Sequence, residues 1–245
     1  MKRILFTCVG ASDPVRGDFD GPMLHIIRHY RPETVYFYMS KEMSKRKDEI
    51  LLAINTVTGN IGHEIESIPL GSDKVDVSDF DAFNHEFEGY FKDIKEKHSD
   101  AELLVNISSG TPQMLITLAL LSQDISFNIK AIQVSSPAKA SNTSKTTTSK
   151  DYDFQEALDN NFDDLEESEN RCVEPKFIEL KRSLAKEQLR ALLYDYNYDG
   201  CEKFALAQGF TKDSRVIKLI SHLSERQNLK NSVEIQKEII DYDFY

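Results

Sequence analysis

The first 135 residues of the chain alternate between two hydrophobic patterns. Short apolar or β-branched runs predict strands, because such runs are typical of strands that are buried on both faces. Segments with an apolar residue at every third or fourth position predict helices. The strands are predicted at residues 3–9, 34–39, 63–70, 102–107 and 129–134, and the helices at residues 22–30, after Ser40, at 76–97 and at 112–123. Strands that alternate with helices across short turns predict a parallel sheet with helices on both faces.

One predicted helix carries an aromatic stripe. In residues 76–97, four phenylalanines from Phe80 to Phe91 recur at steps of three and four, behind a candidate capping box of Ser78 and Asp81. An apolar stripe at this spacing is far more often core than a binding surface. We therefore predict that these rings pack against the sheet.

The pattern changes after residue 135. Residues 135–150 are rich in Ser, Thr and Lys, and the rest of the chain beyond residue 172 returns to helical periodicity. The predicted organisation is a sheet domain at 1–140, a polar and acidic linker or loop at 141–172, and a helical segment at 173–245. The fold class is α/β: a Rossmann-like, doubly wound and mainly parallel sheet, followed by a small all-helical segment.

Charge is unevenly distributed along the chain. The 245 residues include 41 acidic and 30 basic side chains, which gives a net charge of −11, but residues 151–170 alone hold nine acidic and no basic residues. Residues 1–150 are close to balance, with 20 acidic and 17 basic residues. This distribution disfavours the binding of long nucleic acid by a broad basic surface, and it is compatible with the binding of a compact nucleotide. Residues 151–170 lack the alternating aspartates of a calcium loop, so we expect a solvated loop there.

Targeting and redox signals are absent from the sequence pattern. The sequence has no run of 18 apolar residues, and the apolar stretch at its start is too short and too β-like for a signal peptide. We therefore expect a cytoplasmic protein with no membrane partner. Cys8, Cys172 and Cys201 are far apart and odd in number, so we expect reduced thiols rather than a disulfide framework or a zinc site.

Two segments of unusual composition follow the first and fourth predicted strands. We call residues 9–17 loop one and residues 106–113 loop two. In a doubly wound sheet the ligand crevice lies beyond the carboxyl ends of the strands, where the strand order reverses, so these loops are predicted to be neighbours. Neither loop matches G-x-G-x-x-G or the P-loop motif, and Arg16 is the basic residue nearby. The loops therefore favour a ligand that is recognised by hydrogen bonds.

Loop two has the composition of an anion or phosphodiester site. Gly110 permits a tight strand-to-helix turn, Thr111 suits the helix N-cap, and Pro112 suits the first helical position. The hydroxyls of Ser108, Ser109 and Thr111, together with the Gln113 amide, could bind phosphate, ribose or base edges. The alternative is that Ser-Ser-Gly-Thr is ordinary turn and cap chemistry.

The stretch Asn106 to Met114 (NISSGTPQM), loop one and residues 23–32 resemble the CRISPR-associated Rossmann-fold (CARF) domain of the Csm-type ancillary ribonucleases of type III CRISPR systems. The resemblance covers residues 1–140 well and the later helices more loosely. It implies a homodimeric sensor of cyclic oligoadenylate, with cyclic hexa-adenylate as the expected ligand, the tetra-adenylate as competitor, and no cofactor. The candidate ligand-binding residues are Gly10, Ala11, Ser12, Asp13, Asn106, Ser108, Ser109, Gly110, Thr111 and Gln113. Ala11 stands where the family is expected to carry a hydroxyl.

The resemblance also implies two nuclease activities. Some CARF domains cleave their own ring slowly and without a metal, and here Thr111 with the backbone of residues 108–110 would stabilise the developing charge. The family's RNA cleavage belongs to a C-terminal HEPN domain with an R-x(4–6)-H motif. Arg215 and His222 match that motif, but so short a motif occurs often by chance, and a chance pairing on an amphipathic helix is the favoured interpretation. We therefore expect residues 173–245 to be part of an interdomain helical domain, with RNA as a partner only through a missing HEPN domain.

Other readings of the sequence remain open. The chain could itself be an RNA endonuclease that uses Arg215 and His222, or an unrelated Rossmann-type nucleotide-binding enzyme. His25 and His29 lie four residues apart on one helix face, a spacing that can hold a metal. No third ligand is evident in the sequence, so no metal is expected.

Overall fold

The computed structural model describes residues 2–71, 79–124, 127–137, 153–165, 168–207, 209–212, 214–225, 234–237 and 239–240. The chain divides into two compact units, Met1–Pro175 and Lys176–Tyr245, which we call the sheet unit and the helical unit. Among the described residues, no helix combines the length and the apolar character needed to span a membrane.

The sheet unit is built on one mainly parallel sheet. The strands of this unit are β1 (Arg3–Cys8), β2 (Val15–Arg16), β3 (Phe19–Asp20), β4 (Thr34–Tyr38), β5 (Glu66–Leu70), β6 (Glu102–Asn106), β7 (Ile129–Val134) and β8 (Cys172–Val173). Strands β2 and β3 form a separate short hairpin. Over the described ranges, the other six form the sheet in the order β5-β4-β1-β6-β7-β8. All neighbours are parallel except β7 and β8. The strand order reverses between β1 and β6, which confirms the predicted doubly wound fold.

Helices cover both faces of this sheet. They are α1 (Pro22–Tyr30), α2 (Lys47–Ile61), α3 (Phe80–Lys97) and α4 (Pro112–Leu121), and a 3-10 helix at Met43–Arg46 precedes α2. Residues of α1 and α2 share one buried cluster with the sheet, while those of α3 and α4 share the cluster on the opposite face. Each face of β1 is therefore buried, which explains its continuous apolar sequence.

The aromatic stripe of α3 is core, as predicted. Phe83, Phe87 and Phe91 are fully buried, and Phe6 of β1 meets the last two edge-on at ring-centroid distances of 5.4 and 5.0 Å. Such edge-to-face pairs add to the hydrophobic stabilisation. The helix begins one residue later than the predicted cap: Asp79 accepts a hydrogen bond from the Ala82 N–H at 3.0 Å, and Ser78 lies outside the described residues.

The prediction of a linker or exposed loop is wrong for the second half of residues 141–172. Helix α5 (Phe154–Asp159) and a 3-10 helix (Phe162–Asp164) fold onto the sheet unit, and Leu158 is only 1% exposed within its core. We call residues 153–165 and 168–173 the acidic strap. The acidic residues suggested a solvated segment, but two of them, Asp163 and Asp164, pair with Arg171 and Arg28, which a charge count along the chain does not show.

The helical unit has its own core. Helices α6 (Ile178–Tyr194), α7 (Tyr198–Ala207) and α8 (Arg215–Glu225) contribute apolar faces to one buried cluster, which includes Leu189, Cys201 and Val216. Residues 234–237 are also helical. The described elements of this unit are helices, but Val173, where the helical segment was predicted to start, belongs to β8 of the sheet unit.

Candidate ligand site at the carboxyl edge of the sheet

Loops one and two leave the sheet side by side, as predicted. Loop one follows β1 and loop two follows β6, and these two strands are adjacent at the point where the strand order reverses. The backbone N–H of Val9 donates to Tyr38 O, and that of Ile107 donates to Ile132 O, each at 2.9 Å. The loops therefore start from fixed positions at the edge where doubly wound folds bind ligands.

Two glycines bring the loops into backbone contact. A Cβ atom on Gly10 would lie 2.8 Å from the backbone nitrogen of Gly110. Gly110 itself has φ +120, and its Cβ would lie 3.0 Å from the Cys8 Cβ and 3.1 Å from the Met114 Sδ. A side chain is excluded by sterics at Gly10, whereas at Gly110 it would be crowded by two side chains and strained by the positive φ, which favours glycine. The two loops therefore approach each other through backbone atoms.

Asp13 acts as a buried brace of loop one. Its carboxylate accepts hydrogen bonds from the backbone N–H of Gly10 at 2.9 Å and of Met23 at 3.1 Å, and from the Ser109 hydroxyl. Burial raises the pKa of this carboxyl, although these three hydrogen bonds act in the opposite direction. Asp13 therefore links loop one to the start of α1 and to loop two.

The polar residues at the start of loop two also bond internally. The Asn106 amide donates to Thr7 Oγ1 at 2.9 Å and to Ser109 Oγ at 3.1 Å, and its Oδ1 accepts from the Ser108 N–H at 2.9 Å. Ser108 Oγ accepts from the Val134 N–H at 2.8 Å. The polar side chains of these candidate binding residues thus form hydrogen bonds within the protein that hold the loop in its conformation. Their direct contact with a ligand stays a prediction.

The remaining candidates lie at the surface of the crevice. Ala11 is exposed, and Ser12, Gly110, Thr111 and Gln113 are half-buried. Thr111 is the N-cap of α4, where its side chain accepts a hydrogen bond from the Met114 N–H at 3.4 Å. The positive end of the α4 dipole therefore faces the same side as these groups, an arrangement suited to an anion.

One basic residue beside loop one was not predicted from the sequence pattern. Arg46, at the end of the 3-10 helix before α2, donates from Nη1 to the backbone oxygen of Asp13 at 2.8 Å and from Nε to Glu49 Oε2 at 2.9 Å. The signal was present in the sequence, because four of residues 41–47 are Lys or Arg. It was overlooked because the segment is distant from both loops along the chain.

A second missed feature is a buried charge cluster that fastens the acidic strap. Arg28 binds both carboxylate oxygens of Asp20, at 2.8 and 3.2 Å, and Asp164 at 2.6 Å. Arg171 Nη2 lies 2.6 Å from Asp163 Oδ2. Burial alone would raise the pKa of Asp163, but the hydrogen bond from His25 and the charge of Arg171 hold it below its usual value. Arg28 therefore links Asp164 of the strap to Asp20 of the hairpin that continues loop one. The Arg171–Asp163 pair joins two parts of the strap itself.

His25 has the neighbours that the sequence did not show. Ligand atoms of Asp20, His25 and Asp163 lie within 4.8 Å of one another, a grouping that the sequence did not reveal, and the expectation of no metal stays a prediction. The positive charge at this place comes from Arg171, whose Nη2 is 3.0 Å from His25 Nδ1 and 3.3 Å from the backbone oxygen of Asp20. His29 is not part of this group, and its ring is tilted at 56° to that of His25 with a centroid distance of 4.4 Å.

Acidification is expected to destabilise the sheet unit through His29. Burial lowers the pKa of His29 to about 4, and the charges of His25 and Arg28 act in the same direction. The unfolded chain, with its ordinary pKa of 6.5, therefore binds more protons below that value, and stability falls as the pH drops from about 6.5 to about 4. His29→Phe should flatten this fall in the thermal midpoint.

A smaller slope should remain in that variant because His98 also has a lowered pKa, through partial burial and then Lys97. If the parent protein and His29→Phe lose the same number of degrees between pH 7 and pH 5, the assignment to His29 is wrong.

The RNA-cleavage candidates lie in the helical unit. Arg215 and His222 share one face of α8 with Lys218 and Leu219, and these four residues line a shallow pocket. The predicted placement on one helix face is therefore confirmed. Any two residues seven positions apart in a helix lie on the same face, so a role in RNA cleavage stays a prediction.

Comparisons with known proteins agree with this geometry. Residues 65–172 match the family model of the Cas_Csm6 CARF domain. The chain is 31% identical over 227 residues to CRISPR system endoribonuclease Csm6 of Enterococcus italicus, covering 88% of this chain and 51% of that protein. It is also 31% identical over 221 residues to the Csm6 protein of Mycobacterium tuberculosis, with 90% and 52% covered. The chain spans about half the length of the curated relatives that it matches.

A solved structure shows the same architecture. Enterococcus italicus Csm6 bound to cyclic hexa-2'-fluoro-hexa-dAMP superposes with a TM-score of 0.70 and 26% sequence identity, over 91% of this chain and 54% of that chain. The match extends across most of both units described above. Together, the family model, the two relatives and this structure support a CARF domain of the Csm6 type in this chain.

Proposed function

We propose that this chain is the sensor part of a type III CRISPR ribonuclease, and that it binds cyclic hexa-adenylate in the crevice between loops one and two. One observation carries the proposal: two loops in backbone contact, with the N-terminus of α4, lie at the strand-order reversal of a Csm6-type CARF fold. The structural relative with the same fold was solved with a cyclic hexanucleotide. Cyclic hexa-adenylate and the ligand of that relative share a ring of phosphodiesters that carries adenine bases.

The same proposal includes a homodimer. A cyclic hexanucleotide has a two-fold axis through its centre, and a C2 dimer presents the same loops twice around such an axis. One copy of loops one and two offers a single crevice edge, whereas two copies would enclose the ring. The tetra-adenylate ring has the same symmetry and is the competing ligand.

RNA cleavage is assigned to another part of the protein. The relatives named as endoribonucleases are about twice as long as this chain, so we place RNA cleavage in a HEPN domain outside the matched half. Binding of the ring would then shift the equilibrium of that domain toward its active form.

We further propose slow, metal-free cleavage of the ring at Thr111. A ribose 2′-oxygen attacks the adjacent phosphorus, the bond from phosphorus to the 5′-oxygen breaks, and the proton of the 2′-hydroxyl ends on the 5′-oxygen. The products are a 2′,3′-cyclic phosphate and a 5′-hydroxyl. Thr111 and the N–H groups at the start of α4 would stabilise the charge on the phosphate oxygens.

Thr111→Ala is expected to reduce ring cleavage by about 100-fold and to change ring affinity far less. Because the substitution also removes a helix cap, which costs about 1 kcal/mol, Thr111→Ser is the matched variant that keeps both the hydroxyl and the cap. Calorimetry with cyclic hexa- and tetra-adenylate measures binding, and chromatography of the products measures cleavage.

Thr58→Ala serves as a control, because its hydroxyl donates to Asn55 O on α2 rather than at the crevice. Failure of the parent protein to bind either ring would contradict the sensor proposal. Binding with equal product formation in the parent and in Thr111→Ala would contradict the role of Thr111 alone.

A further inference from the structure

The connection from β4 to α2 lies at the same sheet edge as the crevice. β4 pairs with β1 in parallel register, with Tyr38 opposite Cys8, so both strands end at this edge. The 3-10 helix at Met43–Arg46 begins a few residues further on. This connection is basic: against one acid, Glu42, it carries Lys41, Lys45 and Arg46, and Lys47 is the first residue of α2.

The Arg46 side chain contacts both loop one and the first turn of α2. Its Nη1 donates to the Asp13 backbone oxygen at 2.8 Å, its Nε pairs with Glu49 Oε2 at 2.9 Å, and its side chain is 20% exposed. A guanidinium that is already fixed loses little conformational entropy when an anion binds to it. The neighbouring Lys41, Lys45 and Lys47 are exposed and add positive potential.

The two loops themselves carry little positive charge. Residues 106–113 include no charged side chain, and loop one contains the buried carboxyl of Asp13 and the exposed side chain of Arg16. A cyclic oligoadenylate has one negative charge per phosphate, and charge-assisted hydrogen bonds are about twice as strong as neutral ones. Arg16 of loop one lies in the β2–β3 hairpin, opposite Phe19. Loop two and residues 9–15 therefore supply shape and hydrogen bonds, and Arg46 is a cation that a hydrogen bond fixes against them.

We propose that Arg46 binds a phosphate of the ring. The guanidinium exchanges its contact with Glu49 for the phosphate, while its bond to the Asp13 carbonyl keeps loop one in place. The proposal rests on the proposed function, because it assumes that the ring occupies this crevice. It adds a charged hydrogen-bond donor from an element outside loops one and two.

Arg46 and Glu49 allow a test with opposite expected signs. Arg46→Gln should weaken binding of cyclic hexa-adenylate by about 10- to 100-fold, as expected when a charge-assisted hydrogen bond is removed. The slope of log affinity against log salt concentration should decrease by about 0.7 for each phosphate that no longer has a cationic partner. Glu49→Gln should leave the affinity equal or tighter, because it frees the guanidinium. Calorimetry of the full chain at several salt concentrations measures both quantities.

A purely structural role for the ion pair gives a different outcome, since both variants break the same pair and would weaken binding alike. Lys92→Gln is the charge control, because Lys92 pairs with Glu88 within α3 at 2.6 Å. Arg46→Lys keeps the charge and tests the proposal if Arg46→Gln does not fold: its salt slope should match that of the parent protein.

Two results separate this inference from the proposed function. If the parent protein binds the ring and Arg46→Gln resembles Lys92→Gln in affinity and salt slope, the role of Arg46 is overturned and the sensor proposal stands. If the parent protein binds neither the hexa- nor the tetra-adenylate, the sensor proposal fails and the Arg46 proposal fails with it.

Discussion

Arg171→Met is expected to lower the free energy of unfolding of the sheet unit by about 3–5 kcal/mol. The side chains of Asp20 and Asp163 are 0% and 4% exposed, and that of Arg171 is 10% exposed. Removing the guanidinium leaves Asp163 without its nearest cation in a place that water does not reach. It also removes the hydrogen bond at 3.3 Å to the backbone oxygen of Asp20.

Hydrogen exchange of the β1 amides measures this loss, because strands in the centre of a sheet exchange through global opening of the unit. Lys92→Met, which breaks an exposed pair with Glu88, is the control and should cost less than about 1 kcal/mol, as is typical of surface ion pairs. Arg171→Met combined with Asp163→Asn should recover part of the stability, since no carboxylate is then left unpaired at that position. Equal losses in Arg171→Met and Lys92→Met would show that the cluster does not fasten the acidic strap.

Gly10→Ala is expected to weaken binding of cyclic hexa-adenylate at least about tenfold, which corresponds to about 1.4 kcal/mol. The new methyl group would lie 2.8 Å from the backbone nitrogen of Gly110, so loops one and two must separate. Because the obstructing atom belongs to the backbone, a change of rotamer cannot relieve the clash. The same strain should lower the free energy of unfolding by about 1–3 kcal/mol.

Gly89→Ala is the matched control for this substitution. Gly89 lies within α3 and its Cβ would meet no atom within 4 Å, so alanine should stabilise the helix by about 0.5–1 kcal/mol and leave binding unchanged. Calorimetry and chemical denaturation of the two variants give both readouts. If Gly10→Ala keeps the parent affinity and stability, the close backbone approach of the two loops is not needed for the site.

The elements with local signals were predictable. Continuous apolar runs indicated the parallel strands, and the Phe83, Phe87 and Phe91 spacing indicated the core face of α3. The turn and cap chemistry of Gly110 and Thr111 also predicted the right local geometry, since both depend on the backbone within a few residues.

The roles of the polar loop residues were less predictable. Asp13, Asn106 and Ser109 stand in loops whose composition suggests ligand contact, but their polar atoms bond to groups of the protein. A side chain in such a loop can face a ligand or brace the backbone, and the sequence pattern is the same in both cases. Only the positions of Gly10, Thr7 and Met23 decide between them.

The sequence by itself determined the sheet, its order of elements, the switch-point loops and the family that they resemble, because each of these depends on local pattern and chain order. Tertiary structure alone decided that Arg46 lies beside loop one and that Arg171 lies between His25 and Asp163. Arg46 and Asp13 are more than 30 positions apart in the chain, and Arg171 and His25 are more than 140 positions apart. Charge pairing over such separations leaves no periodic signal, since it is set by how the strap and the β4–α2 connection pack against the sheet.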